Sequence, residues 1–197
     1  MILGMEQKSS PRGRSVLEAV IAIAAERGLE HVSVREVAAA AGVSIGTVQH
    51  YFPTKELMLA AAYGEVVDRI RTRVGALRIG ADVRANIGSV LRELLPLDEQ
   101  RRAETRVYLI FAAAAATTPA LAEIQQSVLT ELHGALAEAF AAAWGGSATP
   151  AQCRLAAHAA IALSDGLALH AMTTRGWLAA RQLTGAVDLV LGALLGG

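Results

Sequence analysis

Residues 33–55 read SVREVAAAAGVSIGTVQHYFPTK, and the order of small, polar and apolar residues in this stretch decides the fold. Ser33 stands three residues before Glu36, the spacing of a capping box. The serine hydroxyl accepts from the Glu36 amide, and the Glu36 side chain reaches back to the cap. A helix of about two turns follows and ends before Gly42. Ser44 caps a second short helix over 45–51, which Pro53 stops. Ala38 on the first helix, Val43 at the turn and Val48 on the second face inward. A small residue, then glycine, then apolar residues lets two helices cross steeply through a three- or four-residue turn, the helix-turn-helix arrangement. Its second helix turns Ile45, Gly46, Thr47, Gln49 and His50 outward. Gly46 has no side chain to keep a phosphate from the backbone. Thr47, Gln49 and His50 carry hydrogen-bonding groups suited to base edges, and glutamine pairs bidentately with adenine.

Working outward, Thr54 caps a long helix over 55–77, with Glu56 well placed in its first turn. Upstream, Val16, Leu17, Val20, Ile21, Ile23 and Ala24 recur at helical spacing over 12–27, and Gly28 supplies a left-handed stop. Downstream, the pattern predicts helices over 82–95, closed by Pro96, and over 98–116. Thr118-Pro119 opens one to about Trp144, Thr149-Pro150 opens another to about Met172, and a last covers 178–195. The expectation is an all-α chain of about nine helices. It divides into a flexible basic arm (1–11), a three-helix helix-turn-helix DNA-binding domain (12–55) and a C-terminal helical ligand-binding and dimerisation domain (56–197). Composition agrees: 41 of the 197 residues are Ala and 25 are Leu, both strong helix formers. No apolar run approaches the roughly 20 residues that cross a bilayer, and the N-terminus lacks a signal-peptide pattern. The single Cys153 fits a reducing compartment, so the expected location is cytoplasmic.

The stretch from about Arg14 to Ala60 resembles the DNA-binding domain of the TetR family of bacterial transcriptional regulators. The resemblance rests on the apolar pattern of the first helix, Gly28, SVREVAAAAGVS and above all GTVQHYFPTKELML, within which Tyr51-Phe52-Pro53-Thr54-Lys55-Glu56-Leu57 is specific to the family. Asp165-Gly166-Leu167-Ala168-Leu169-His170 is similar to a C-terminal piece of the betaine-inhibitor branch. The resemblance implies that Thr47, Gln49 and His50 read bases or adjacent phosphates, that Arg35 reaches the groove or backbone, that Tyr51 and Lys55 clamp phosphates, and that Phe52 packs inward. With Ser44, Ile45 and Gly46 these complete the candidate DNA-binding set. Gln49 stands where many members carry an aromatic. The resemblance further implies a homodimer on a palindromic operator, acting as a repressor that a small-molecule effector releases.

A net charge of zero argues against a nucleic-acid partner at first sight. Binding depends on local charge, however. Residues 1–55 hold six Lys or Arg against five Asp or Glu, and Glu18, Glu26 and Glu30 belong to the first helix and its exit, which can face away from DNA. Lys8, Arg12, Arg14, Arg35 and Lys55, doubled in a dimer, remain as DNA-facing cations. Taken alone, His50 reads as a surface histidine and Lys55 as a solvated lysine; inside this motif both read as DNA contacts. Arg69, Arg71, Arg73 and Arg78 read as a solvated face.

Elsewhere the candidate pocket residues are Arg106, Tyr108, Phe111, His133, Asp165 and Met172, each of which also reads as ordinary core or surface. Asp165, in an apolar helix, reads as hydrogen-bonded structure near Gly166 or as a partner for a cationic ligand. The candidate dimer residues are Ala160, Leu163, Leu167, Leu189 and Leu194 on the last two helices. The five histidines show no pair at shared-face helical spacing, so neither a metal nor a cofactor is expected. No nucleophile, phosphate-loop or paired-carboxylate pattern points to an enzyme. A ligand-binding helical protein without DNA function would predict a disrupted 44–55 segment, and that segment is intact.

Overall fold

The computed structural model describes residues 10–174 and 176–196. The expected arm over 1–11 lies outside them except for Ser10 and Pro11. Among the described residues there are nine α-helices, one short 3-10 turn and no strand: α1 (Pro11–Arg27), α2 (Val34–Ala41), α3 (Ile45–Tyr51), α4 (Lys55–Gly75), α5 (Val83–Glu93), α6 (Glu99–Ala115), α7 (Pro119–Ala143), α8 (Pro150–Thr173) and α9 (Ala180–Leu195). Their ends fall at most two residues from the sequence expectation. The capping chemistry is the reason. Ser10, Ser33, Ser44, Asp82 and Thr149 each accept a hydrogen bond from the backbone amide three residues on.

Two local expectations are corrected. Glu36 does not reach back to Ser33; its carboxylate pairs with Arg27 at 2.8 Å, a charged partner that outcompetes the neutral amide. Gly28 has positive φ (91°) but an extended ψ (166°), so the chain leaves α1 toward the 3-10 turn rather than through a left-handed helical residue.

The chain divides into two compact units, residues 1–68 with 106–124 and residues 69–105 with 125–197. In the first, α1 packs on α2 and α2 on α3. Val16, Val20, Val32, Val37, Val48, Phe52, Met58 and Tyr63 are fully or almost fully buried there. Each such side chain contributes about 1.5–3 kcal/mol relative to exposure. Tyr63 of α4 stacks on Phe111 of α6, ring centroids 3.9 Å apart and 4° from parallel, and lies 6.2 Å from Tyr108.

In the second unit, α9 packs on α5 and α8. Its core gathers Ile87, Leu91, Leu95, Leu136, Phe140, Cys153, Ile161, Leu183, Val187 and Leu191. Ala156, Ala157 and Ala160 of α8 are buried in the same cluster, where small side chains allow close helix approach. An Arg92–Asp188 ion pair joins α5 to α9, and Arg71 pairs with Glu131 of α7. By length and composition α8 could also cross a membrane, yet 39% of its most apolar window is buried inside the protein.

Candidate nucleic-acid interface

Glycine geometry at 42 sets the angle between α2 and α3. Gly42 adopts the left-handed conformation (φ 65°, ψ 33°). The Gly42 amide donates to the Ala39 carbonyl, and the Val43 amide to the Ala38 carbonyl. This is a Schellman ending, which closes α2 and redirects the chain within three residues. Ser44 then restarts the helix: its Oγ accepts from the Thr47 amide at 3.0 Å and lies 2.8 Å from Thr47 Oγ1. Val48 and Phe52 pin the inner face of α3 at 0% and 2% exposure, while Val43 is only half-buried, short of the buried position expected for it.

The opposite face is open. Ser44, Ile45, Gly46, Gln49 and His50 are exposed, and Thr47 and Tyr51 are half-buried at its margins. Ile45 is a large apolar residue with 49% of its surface exposed. A Cβ built on Gly46 would meet only Ser44 Oγ, at 3.8 Å. Packing within the chain therefore does not require a glycine at 46. Arg35, at the start of α2, is exposed. The Tyr51 hydroxyl accepts from Ser10 Oγ at 3.0 Å, tying the start of α1 to the end of α3, and its ring meets His50 edge-on at 5.4 Å. Lys55 Nζ donates to the Leu29 carbonyl at 3.0 Å, which uses one of its three donors and fixes the ammonium beside the α3–α4 junction. Seven of the nine expected residues thus lie on or at the cap of one short helix, with Arg35 on α2 and Lys55 at the start of α4.

The other expected sites fare differently. Arg106, Tyr108 and Phe111 belong to the first unit; His133, Asp165 and Met172 belong to the second. Tyr108 and Phe111 both lie against the ring of the buried Tyr63. Sequence reasoning missed Tyr63, although it continues the inner stripe Leu59, Val66, Val67 of α4. His133 sits on α7 with Nδ1 2.6 Å from the Leu129 carbonyl and its ring 4.2 Å from His158 on α8, a cross-helix pair that sequence spacing could not show. Among the described residues no three His, Cys, Asp or Glu converge as for a metal ion.

Ala160 is corrected outright: it is 0% exposed in the core of its own unit and has no surface to offer a second copy. Leu163, Leu167 and Leu194 are partly buried against that same core, and Leu189 is 76% exposed. Leu155 and Leu169 on α8 are exposed as well, and sequence reasoning passed over both. Arg73 is also not part of a solvated face. Its side chain is 22% exposed and contacts Glu93 and Glu104. Burial pushes its pKa down, but hydrogen bonding and charge from Glu104 and Glu93 outweigh this and leave it raised. The Glu104 position was readable, since Glu104, Val107 and Phe111 share one stripe of α6.

Comparison with known proteins decides the family. Residues 16–62 match the model for bacterial regulatory proteins of the tetR family, and residues 83–196 match that for the C-terminal region of BetI-type transcriptional repressors. The chain belongs to the TetR family. The solved structure of a transcriptional regulator from Rhodococcus sp. Rha1 superposes with a TM-score of 0.87 at 38% identity, covering 95% of this chain and 97% of that one. The transcriptional regulator BetI of Cronobacter sakazakii is 28% identical over 81% of this chain and 79% of its own length. PksA of Bacillus subtilis is 30% identical, but that match spans only half of each chain. As a TetR-family member, the protein is a DNA-binding transcriptional regulator, and the exposed face of α3 lies inside the matched N-terminal region.

Proposed function

We propose that this TetR-family regulator is a cytoplasmic, non-enzymatic repressor that binds a palindromic operator as a homodimer and leaves it when a small molecule binds the C-terminal helices. The observation that carries the DNA assignment is Gly46: a glycine on an exposed helix, with open space around its Cβ position, has no structural reason on the protein side. A phosphate approaching the backbone supplies one. In this reading Thr47, Gln49 and His50 read base edges, with Ser44 and Ile45 at the groove, while Arg35, Tyr51 and Lys55 hold phosphates. Residues 12–55 form the DNA head and residues 56–197 the regulatory part.

A single short recognition helix reads too few bases for useful specificity, and two related by a twofold axis read a palindrome. The exposed Leu155, Leu169 and Leu189 of α8 and α9 are the apolar surface that a second copy would cover. Release follows from population shift. An effector that binds better to the conformation with misplaced heads lowers operator affinity by the ratio of its two affinities. Within the second unit, His133, Asp165 and Met172 remain proposed effector contacts. The deciding experiment is selection of bound sequences from random duplex DNA by the full chain. Enrichment of one inverted repeat is expected, and recovery of unenriched DNA would overturn the reading.

A further inference from the structure

The exposed face of α3 mixes two chemistries. Gln49 and His50 can donate and accept hydrogen bonds, whereas Ile45 can do neither. Thr47 is half-buried, and its hydroxyl lies 2.8 Å from Ser44 Oγ, so it is already engaged in the cap. Of the aliphatic side chains of α3, Val48 is 0% exposed and Ile45 is 49% exposed. One exposed aliphatic residue is ordinary on a protein surface. Its place gives this one a use: Ile45 precedes Gln49 by four residues, so the two are neighbours on one face of the helix. Both belong to the first unit.

In the major groove every base pair presents hydrogen-bonding groups, and the thymine C5-methyl is the one apolar group among them. An aliphatic side chain set against the edge of guanine, cytosine or adenine would take water from polar atoms and offer them no partner. Against a thymine methyl it buries apolar surface on both sides. Spacing then places that thymine. Side chains four residues apart on a helix have Cβ atoms about 5–6 Å apart, and stacked bases are about 3.4 Å apart. Ile45 therefore meets a base pair one or two steps from the one that Gln49 reads.

We propose that Ile45 reads a thymine by its C5-methyl, so that each operator half-site carries a thymine one or two base pairs from the adenine that Gln49 pairs with. This rests on the DNA-binding reading of α3 above and adds to it a base identity and a register.

Exchanging thymine for uracil in the duplex selected by the full chain tests it, because the exchange removes the methyl and leaves the hydrogen-bonding groups in place. Each methyl contact is worth about fourfold in affinity, and a twofold dimer loses two, so wild type should bind about 15-fold more weakly when one symmetric pair of thymines is exchanged. Fluorescence anisotropy at one fixed salt concentration measures this. The sensitive thymines should lie one or two base pairs from the adenines whose preference is relaxed when the selection is repeated with Gln49→Ala. Ile45→Ala should bind the thymine and uracil duplexes alike. An enriched repeat that wild type binds unchanged at every thymine-to-uracil exchange overturns the proposal and leaves the DNA reading standing, and this measurement needs no variant to fold. A methyl dependence that survives in Ile45→Ala, or one confined to thymines well beyond two base pairs from those adenines, overturns it as well. Recovery of no enriched repeat overturns the DNA reading and the thymine contact together.

Discussion

Replacing Gly46 by alanine should move stability and DNA affinity in opposite directions. Gly46 is the second residue of α3, and a helical glycine is about 0.5–1 kcal/mol less favourable than alanine. The new methyl would meet only Ser44 Oγ, at 3.8 Å, an ordinary contact without strain. Gly46→Ala should therefore stabilise the chain by about 0.5–1 kcal/mol, a rise in Tm of about 1–4 °C for a protein of this length. On DNA the same methyl would stand between the backbone and the phosphate. Losing one hydrogen bond to a charged group costs about 1.5–3 kcal/mol, and a twofold dimer loses two. Operator affinity should fall by roughly a hundredfold or more. Thermal unfolding and fluorescence anisotropy with the selected duplex, at one fixed salt concentration, measure the two effects side by side. Affinity unchanged within about threefold would refute the close backbone approach. A lowered Tm would refute the open space around residue 46.

Three further outcomes are expected. Gly42→Ala should cost about 1–2 kcal/mol by chemical denaturation; no atom lies within 4 Å of its Cβ position, so the penalty is that of the left-handed backbone alone. Gly42→Asn should recover part of that loss, and a neutral Gly42→Ala would show that the turn relaxes without consequence. The double change Gln49→Ala, His50→Ala removes two exposed side chains and should leave stability within about 0.5 kcal/mol while abolishing specific binding; retained operator affinity refutes their role. Operator affinity should fall with salt at a log–log slope of roughly −7, from about four phosphate contacts per subunit, and a flat response would remove the phosphate assignments.

Locality separates what could be read from the sequence from what could not. Several helix starts carried their own signal within three residues: Ser33, Ser44 and Thr149 each cap the amide that spacing pointed to. The exposed face of α3 was readable for the same reason: the proposed DNA contacts lie within 21 positions, from Arg35 to Lys55, and one left-handed glycine fixes the angle between α2 and α3. The reading of Glu36 failed because a partner beyond the immediate turn, Arg27, offered a better contact.

The second unit lacks this advantage. α8 carries alanine and leucine on every side, so its sequence has no contrast that separates a core face from a partner face. Ala160 was consequently placed at an interface when it lies in the core, while Leu155 and Leu169 on the exposed side went unnoticed. Arg73 looked like one more solvated arginine because its carboxylates come from α5 and α6, 20 and 31 residues along the chain. Periodicity assigns a face to a helix but not the neighbour that meets it. Burial turned that unread pairing into a buried charge cluster, and a buried charge is costly to strand. Truncating Arg73 should therefore cost more stability than truncating an exposed arginine such as Arg35.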